Sequence, residues 1–68
     1  MNEEVLNTSM RKFLKTVGVT SQREIEKAVR EAVASGRIKG NEALKAHVVL
    51  TIGEVGLDHK IDSTIELE

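Results

Sequence analysis

VGVTSQREIEKAV, from Val17 to Val29, is the stretch on which the fold turns. A glycine follows an amphipathic run, and Ser21-Gln22-Arg23-Glu24 has the composition of a capping box. In such a box the serine oxygen accepts from the glutamate amide while the glutamate side chain reaches back to the serine amide. The reading is a break: one helix closes at Gly18, in the left-handed conformation that costs glycine no clash, and a second opens at about Gln22.

Upstream of the break, Leu6, Met10, Phe13, Leu14 and Val17 fall at helical spacing. Asn2 is placed to cap, and Glu3 and Glu4 suit the positive end of the helix dipole, so a helix is expected from about residue 3 to 17. Downstream, Ile25, Ala28, Val29, Ala32 and Val33 form a second stripe, which predicts a helix over about 22–35 with Gly36 closing it. The segment Arg37-Ile38-Lys39-Gly40-Asn41-Glu42 then turns the chain, with Ile38 expected in the core.

Beyond Glu42 the period changes. Leu44, Ala46, Val48, Leu50 and Ile52 alternate with Lys45, His47, Val49 and Thr51, as a half-buried strand over about 43–52 requires. Gly53-Glu54-Val55-Gly56 makes a short connection to a second alternating run over about 57–67. Pairing Ile52 with Leu57 would set Leu50 against His59, Val48 against Ile61 and His47 against Asp62. The expected fold is therefore α+β, one domain over residues 1–68, with two N-terminal α-helices packed on one face of a C-terminal antiparallel β-hairpin.

The chain has 68 residues, no Cys and no Pro, and Phe13 is its only aromatic side chain. So short a chain sits near the lower limit for an unaided core. Ordering each residue costs roughly 1.5 kcal/mol, so burial and entropy nearly cancel and a modest further term decides stability. Disulfides and thiolate metal sites are excluded, and no paired histidine spacing suggests zinc. Self-association is the remaining source of that term.

The formal net charge of −1 argues against a globally basic binder of nucleic acid or membrane surface. Locally, nine Lys and Arg face four Glu between Arg11 and Lys45, whereas His47 to Glu68 holds one Lys and five acids. No apolar run reaches membrane-spanning length, and the start, MNEEVLNTS, is acidic where a signal peptide is basic. A cytoplasmic location is expected.

Catalytic chemistry finds no foothold. Strand parity puts His47 among the polar positions and His59 among the apolar ones, so the two cannot converge on a metal. Asp58 and Asp62 share an exposed face, well separated and with Lys60 between them, and do not make an acid-base pair. No Ser-His-Asp set or phosphate-cradling glycine loop is present. The expectation is a protein without enzymatic activity, cofactor or metal.

The stretch VGVTS between two amphipathic segments resembles the turn of helix-turn-helix DNA-binding proteins. In those proteins an apolar residue stands six positions past the turn glycine, where this chain has Glu24 with Ile25 one place late, and a small residue stands four before it, where this chain has Leu14. Glu24 and Glu26 would also repel phosphates from the first turns of a reading helix. Arg11, Lys12, Lys15, Arg23, Lys27 and Arg30 are the residues available for contact with nucleic acid or another partner. Association comes first, nucleic acid second. The hairpin's open edges can pair with another strand, so an unknown protein partner or a second copy of the chain is expected.

As a whole, Met1-Asn2-Glu3-Glu4, Arg11-Lys12-Phe13-Leu14-Lys15, Val17-Gly18-Val19 and Ser21-Gln22-Arg23-Glu24-Ile25-Glu26, followed by alternating strands, resemble a family of short bacterial proteins of unknown function. The resemblance implies a cytoplasmic bacterial protein built of two helices and a β-hairpin. It implies no activity, cofactor or site residue.

Overall fold

The computed structural model describes residues 1–68. Its elements are one long helix, α1, over Glu3–Ala34, then strand β1 over Ala43–Ile52, a short 3-10 turn over Gly53–Val55, and strand β2 over Leu57–Glu66. The chain divides into two compact units, Met1–Ser35 and Gly36–Glu68. The α+β class holds, but the two expected N-terminal helices are a single one.

At its start α1 follows the expected rule. Asn2 keeps an extended backbone, and its Oδ1 accepts from the amides of Glu4 at 3.0 Å and Val5 at 3.1 Å, satisfying two donors that have no partner inside the helix. Glu3 and Glu4 occupy the first turn. The end also follows the rule: Ser35 caps, its hydroxyl donates to the Ala32 carbonyl at 3.2 Å, and Gly36 takes φ +80° just beyond.

Between those ends the expected break is absent. Gly18 is not among the glycines with positive φ, and the helix runs through Val17–Val29 without interruption. A glycine inside a helix costs about 1 kcal/mol relative to alanine, and a serine less. Breaking the helix would instead free several amides and carbonyls at each new end. No proline is present to force that outcome. Ser21 and Glu24 therefore serve as ordinary interior residues, and the supporting side-chain contacts are those of a continuing helix. Thr16 donates from its hydroxyl to the Lys12 carbonyl at 3.1 Å, Gln22 donates to Glu26 at 3.1 Å, and Arg30 pairs with Glu26 at 3.6 Å.

In the second unit the carboxylate of Glu42 accepts from the amides of Lys39 at 2.8 Å, Gly40 at 2.9 Å and Asn41 at 3.1 Å, fixing the turn before β1. Ile38 is half-buried there rather than part of a closed core. The hairpin itself has the expected register, with Ile52 opposite Leu57, Leu50 opposite His59, Val48 opposite Ile61 and His47 opposite Asp62. Gly56, at φ +65°, donates its amide to the Gly53 carbonyl at 3.2 Å and closes the connection. Strand β2 ends at Glu66, and the Leu67 amide extends the pairing to the Glu42 carbonyl at 3.2 Å.

Candidate functional site

A lone helix cannot cover its own apolar side, and a two-stranded ribbon cannot cover its own apolar face. Each unit thus presents one surface that its own backbone cannot shield. No residue of the chain is buried.

On α1 the continuous backbone joins the two stripes read from the sequence into one. Leu6, Met10, Phe13 and Val17 lead across Ser21 to Ile25, Ala28 and Ala32 at steps of three or four residues, with Val29 and Val33 on one flank of the C-terminal half. The large members lie open to solvent, Met10 at 47% and Phe13 at 50% of full exposure. Leu14 flanks them at 56%. This is a long apolar seam on a rod of about 48 Å, at 1.5 Å per residue over 32 residues, with Val5 and Val19 exposed on the other side.

The same continuity gathers the six candidate contact residues, which a broken helix would have divided, onto one element. Lys12, Arg23 and Arg30 are separated by eleven and seven residues, close to whole numbers of turns, and so share the side away from the seam. Lys15 lies on that half as well, with Arg11 and Lys27 nearer its two borders. Glu26 stands among them and holds Arg30, so the cationic side is interrupted. Lys12 also borders a shallow depression with Glu4, Val5, Thr8 and Ser9.

In the hairpin, residues paired across the ladder share a face. Leu44, Val48, Leu50 and Ile52 thus join Leu57, Ile61 and Ile65 on one side, where Val48 is 47% and Ile61 50% exposed. His47 and Asp62 stand opposite each other on the polar side, bordering a second shallow depression with Lys45 and Thr64. Asp62 is engaged by Lys60 at 3.7 Å. His59 faces the other way, against Leu50, so the two histidines do not meet. No three His, Asp or Glu side chains gather in a way that could hold a metal ion.

Glu42 was not singled out by sequence reasoning. Its bonds, first from Lys39 and then from Gly40, hold its carboxyl below the ordinary value of 4.5. The available signal was an acid directly after Gly40-Asn41, placed to receive the amides of a tight turn. Those amides are already satisfied by Glu42, which makes the group a fastener of the fold.

One long helix followed by a two-stranded antiparallel hairpin makes this a small α+β chain. Over residues 1–68 it matches the model of DUF6494, a family of unknown function, and it belongs to that family. No curated protein and no solved structure matches it. No helix is long and apolar enough to cross a membrane.

Proposed function

We propose that this chain is a small cytoplasmic protein-interaction module, without catalytic activity of its own, that works by covering its apolar faces against protein. The observation that carries this reading is the absence of any buried side chain in a chain with fifteen large apolar residues exposed. Burial of apolar area is the main favourable term in folding, at about 25 cal/mol per Å2, and here that term is left for association to supply. The expected open edges of the hairpin add backbone donors and acceptors for a partner strand.

The test is unfolding followed by circular dichroism over a wide range of protein concentration, together with binding of a dye that fluoresces on apolar surface. A module predicts either a midpoint that rises with concentration, because partners bind only the folded chain, or dye binding by an incompletely folded monomer. A monomer that unfolds cooperatively at one concentration-independent midpoint and binds no dye would contradict the reading.

A further inference from the structure

The two outer edges of the hairpin differ in a way that decides what can add to it. Residues directly opposite in an antiparallel pair alternate between those that exchange both backbone bonds and those that exchange none. The bond from the Leu67 amide to the Glu42 carbonyl, 3.2 Å, fixes the phase. Counting on from that pair in the observed register, Leu44, Ala46, Val48, Leu50 and Ile52 direct their amides and carbonyls to β2. Those of Ala43, Lys45, His47, Val49 and Thr51 therefore point outward from β1, and those of Asp58, Lys60, Asp62, Thr64 and Glu66 outward from β2.

Both outward sets are open. The sheet has two strands only, all ten of these residues are exposed, and no hydrogen bond made outside the helix and the ladder reaches their backbone groups. The side chains beside them are unlike. Along β2 four of the five carry a formal charge, three of them acids, the pattern by which an edge is protected from adding a strand. Along β1 there is no acid: Lys45 and His47 stand among Ala43, Val49 and Thr51. Val49, 55% exposed, is the one large apolar side chain on the polar face of the ladder.

One unprotected edge per chain selects the occupant. A strand of another protein, added to β1, would present a new outer edge of its own, whereas a second copy added through its own β1 leaves the protected β2 strands outermost on both sides. Such an assembly stops at two. It is an isologous pair, in which the same edge faces itself. Two β2 edges brought together would instead set acids along both sides of the join, and head-to-tail pairing of β1 with β2 would leave an edge free at each end and continue as an open array.

The register follows from the side chains. With Val48 opposite Val48 of the other copy, Leu44 meets Ile52 and Ala46 meets Leu50 on the apolar face, while Lys45 meets Thr51 and His47 meets Val49 on the polar face. Every residue from Leu44 to Ile52 is matched, and no two like charges are opposed. Moving the axis to His47 sets Ile52 against Glu42, and moving it to Val49 carries Leu44 past the end of the facing strand. A two-stranded ribbon is marginal alone in water, whereas four strands with one continuous apolar face are not.

We infer that β1 pairs with β1 of a second copy of this chain, antiparallel about a two-fold axis at Val48, making a four-stranded sheet in the order β2-β1-β1-β2. The inference rests on the proposed interaction role and names its surface, its partner and its orientation.

Hydrogen exchange followed by NMR on the whole chain, from dilute to concentrated, reads this edge directly. In dilute solution the amides of Lys45, His47, Val49 and Thr51 should exchange freely. With rising concentration they should slow together, about tenfold or more, in step with the rise in mass seen by sedimentation, while those of Asp58, Lys60, Asp62 and Thr64 stay fast. Slowing on both edges would mean head-to-tail pairing and would overturn the inference. Slow β1 amides in the dilute monomer would overturn it too, because the chain would then cover the edge itself. Fast β1 amides at every concentration, slowed only when another protein is added, would give the edge to a foreign strand and exclude the pairing of copies.

Proline supplies a second measurement. Val49→Pro and Lys60→Pro each remove an outward amide, from residues that face each other across the ladder, and neither takes a bond from that ladder. Val49→Pro should weaken the dimer about tenfold or more, since each copy loses a donor at the join, and Lys60→Pro should leave it nearly unchanged. Equal weakening by the two, with both hairpins folded, would contradict the assignment of the edge; should either variant fail to fold, exchange in the unaltered chain decides. The two readings fail separately. Association that leaves the outer β1 amides fast removes the β1 pair and leaves the interaction role standing, whereas a dye-free monomer with a concentration-independent midpoint removes both.

Discussion

The two units handle glycine in opposite ways. At Gly56 the backbone is left-handed, φ +65°, and its amide is held by the Gly53 carbonyl, so the glycine reverses the chain and fixes the register of the strands on either side. At Gly18 the residue stays within the helix, flanked by turns that keep their hydrogen bonds. The lesson is that glycine permits a reversal without imposing one. A reversal takes hold where local bonds secure it, as at Gly56 and beside the carboxylate of Glu42.

That contrast can be broken most forcefully with proline. Thr20→Pro removes an amide donor in mid-helix and clashes with the carbonyl four residues back, so a loss of about 3 kcal/mol or more is expected. Chemical denaturation followed at 222 nm measures it, and the helical signal should fall in proportion to the turns disrupted. If the chain were already broken between Val17 and Gln22, the substitution would be nearly silent.

Alanine at the two glycines should move stability in opposite directions. Gly56→Ala forces a side chain into a left-handed position and is expected to cost about 1–2 kcal/mol, seen as loss of cross-strand contacts between Ile52 and Leu57 by NMR. Gly18→Ala meets no neighbouring atom within its own chain and is expected to raise the helix stability of a peptide spanning Met1–Ser35 by up to about 1 kcal/mol. A destabilised Gly18→Ala peptide would mean that Gly18 adopts the left-handed form.

The smallest effect concerns pH. The carboxyl of Glu42 sits below its ordinary 4.5 because the Lys39 and Gly40 amides, foremost, bond to its ionised form. Its contribution is therefore fully present above that ordinary value and is lost as pH falls through the lowered one. The amide resonances of Lys39, Gly40 and Asn41 should shift together in that acid range, and Glu42→Gln should weaken the response. Amides that titrate with the ordinary carboxylate value would contradict the arrangement.

The hairpin was legible because two independent signals agree: alternation from Leu44 to Ile52, broken only at Val49, and from Leu57 to Ile65, broken at His59 and Ser63, and a glycine at each end of the connection. The helix ends were legible for a similar reason, since Asn2 and Gly36 each stand where the apolar spacing starts or stops. Val17–Val29 misled because Ser21-Gln22-Arg23-Glu24 reads alike at the start of a helix and in its interior. Only the hydrogen bonds of the preceding turn separate the two, and they are not written in the tetrapeptide. The six cations were found as candidates, but their common element depends on that same continuity. Glu42 escaped notice because its role arises from backbone amides, which every residue but proline offers.

Continuity of α1 through Val17–Val29 is the claim on which the apolar seam and the gathering of the six cations onto one element depend. It is tested most directly by a distance within one chain: spin labels on a T8C/R30C variant, diluted into an excess of unlabelled protein so that only labels on the same chain are read. An unbroken helix predicts about 33 Å between them, twenty-two residues at 1.5 Å each. A chain folded back at Gly18 would bring the same two positions level with each other at about 20 Å, given helix axes 8–10 Å apart, and would contradict the account.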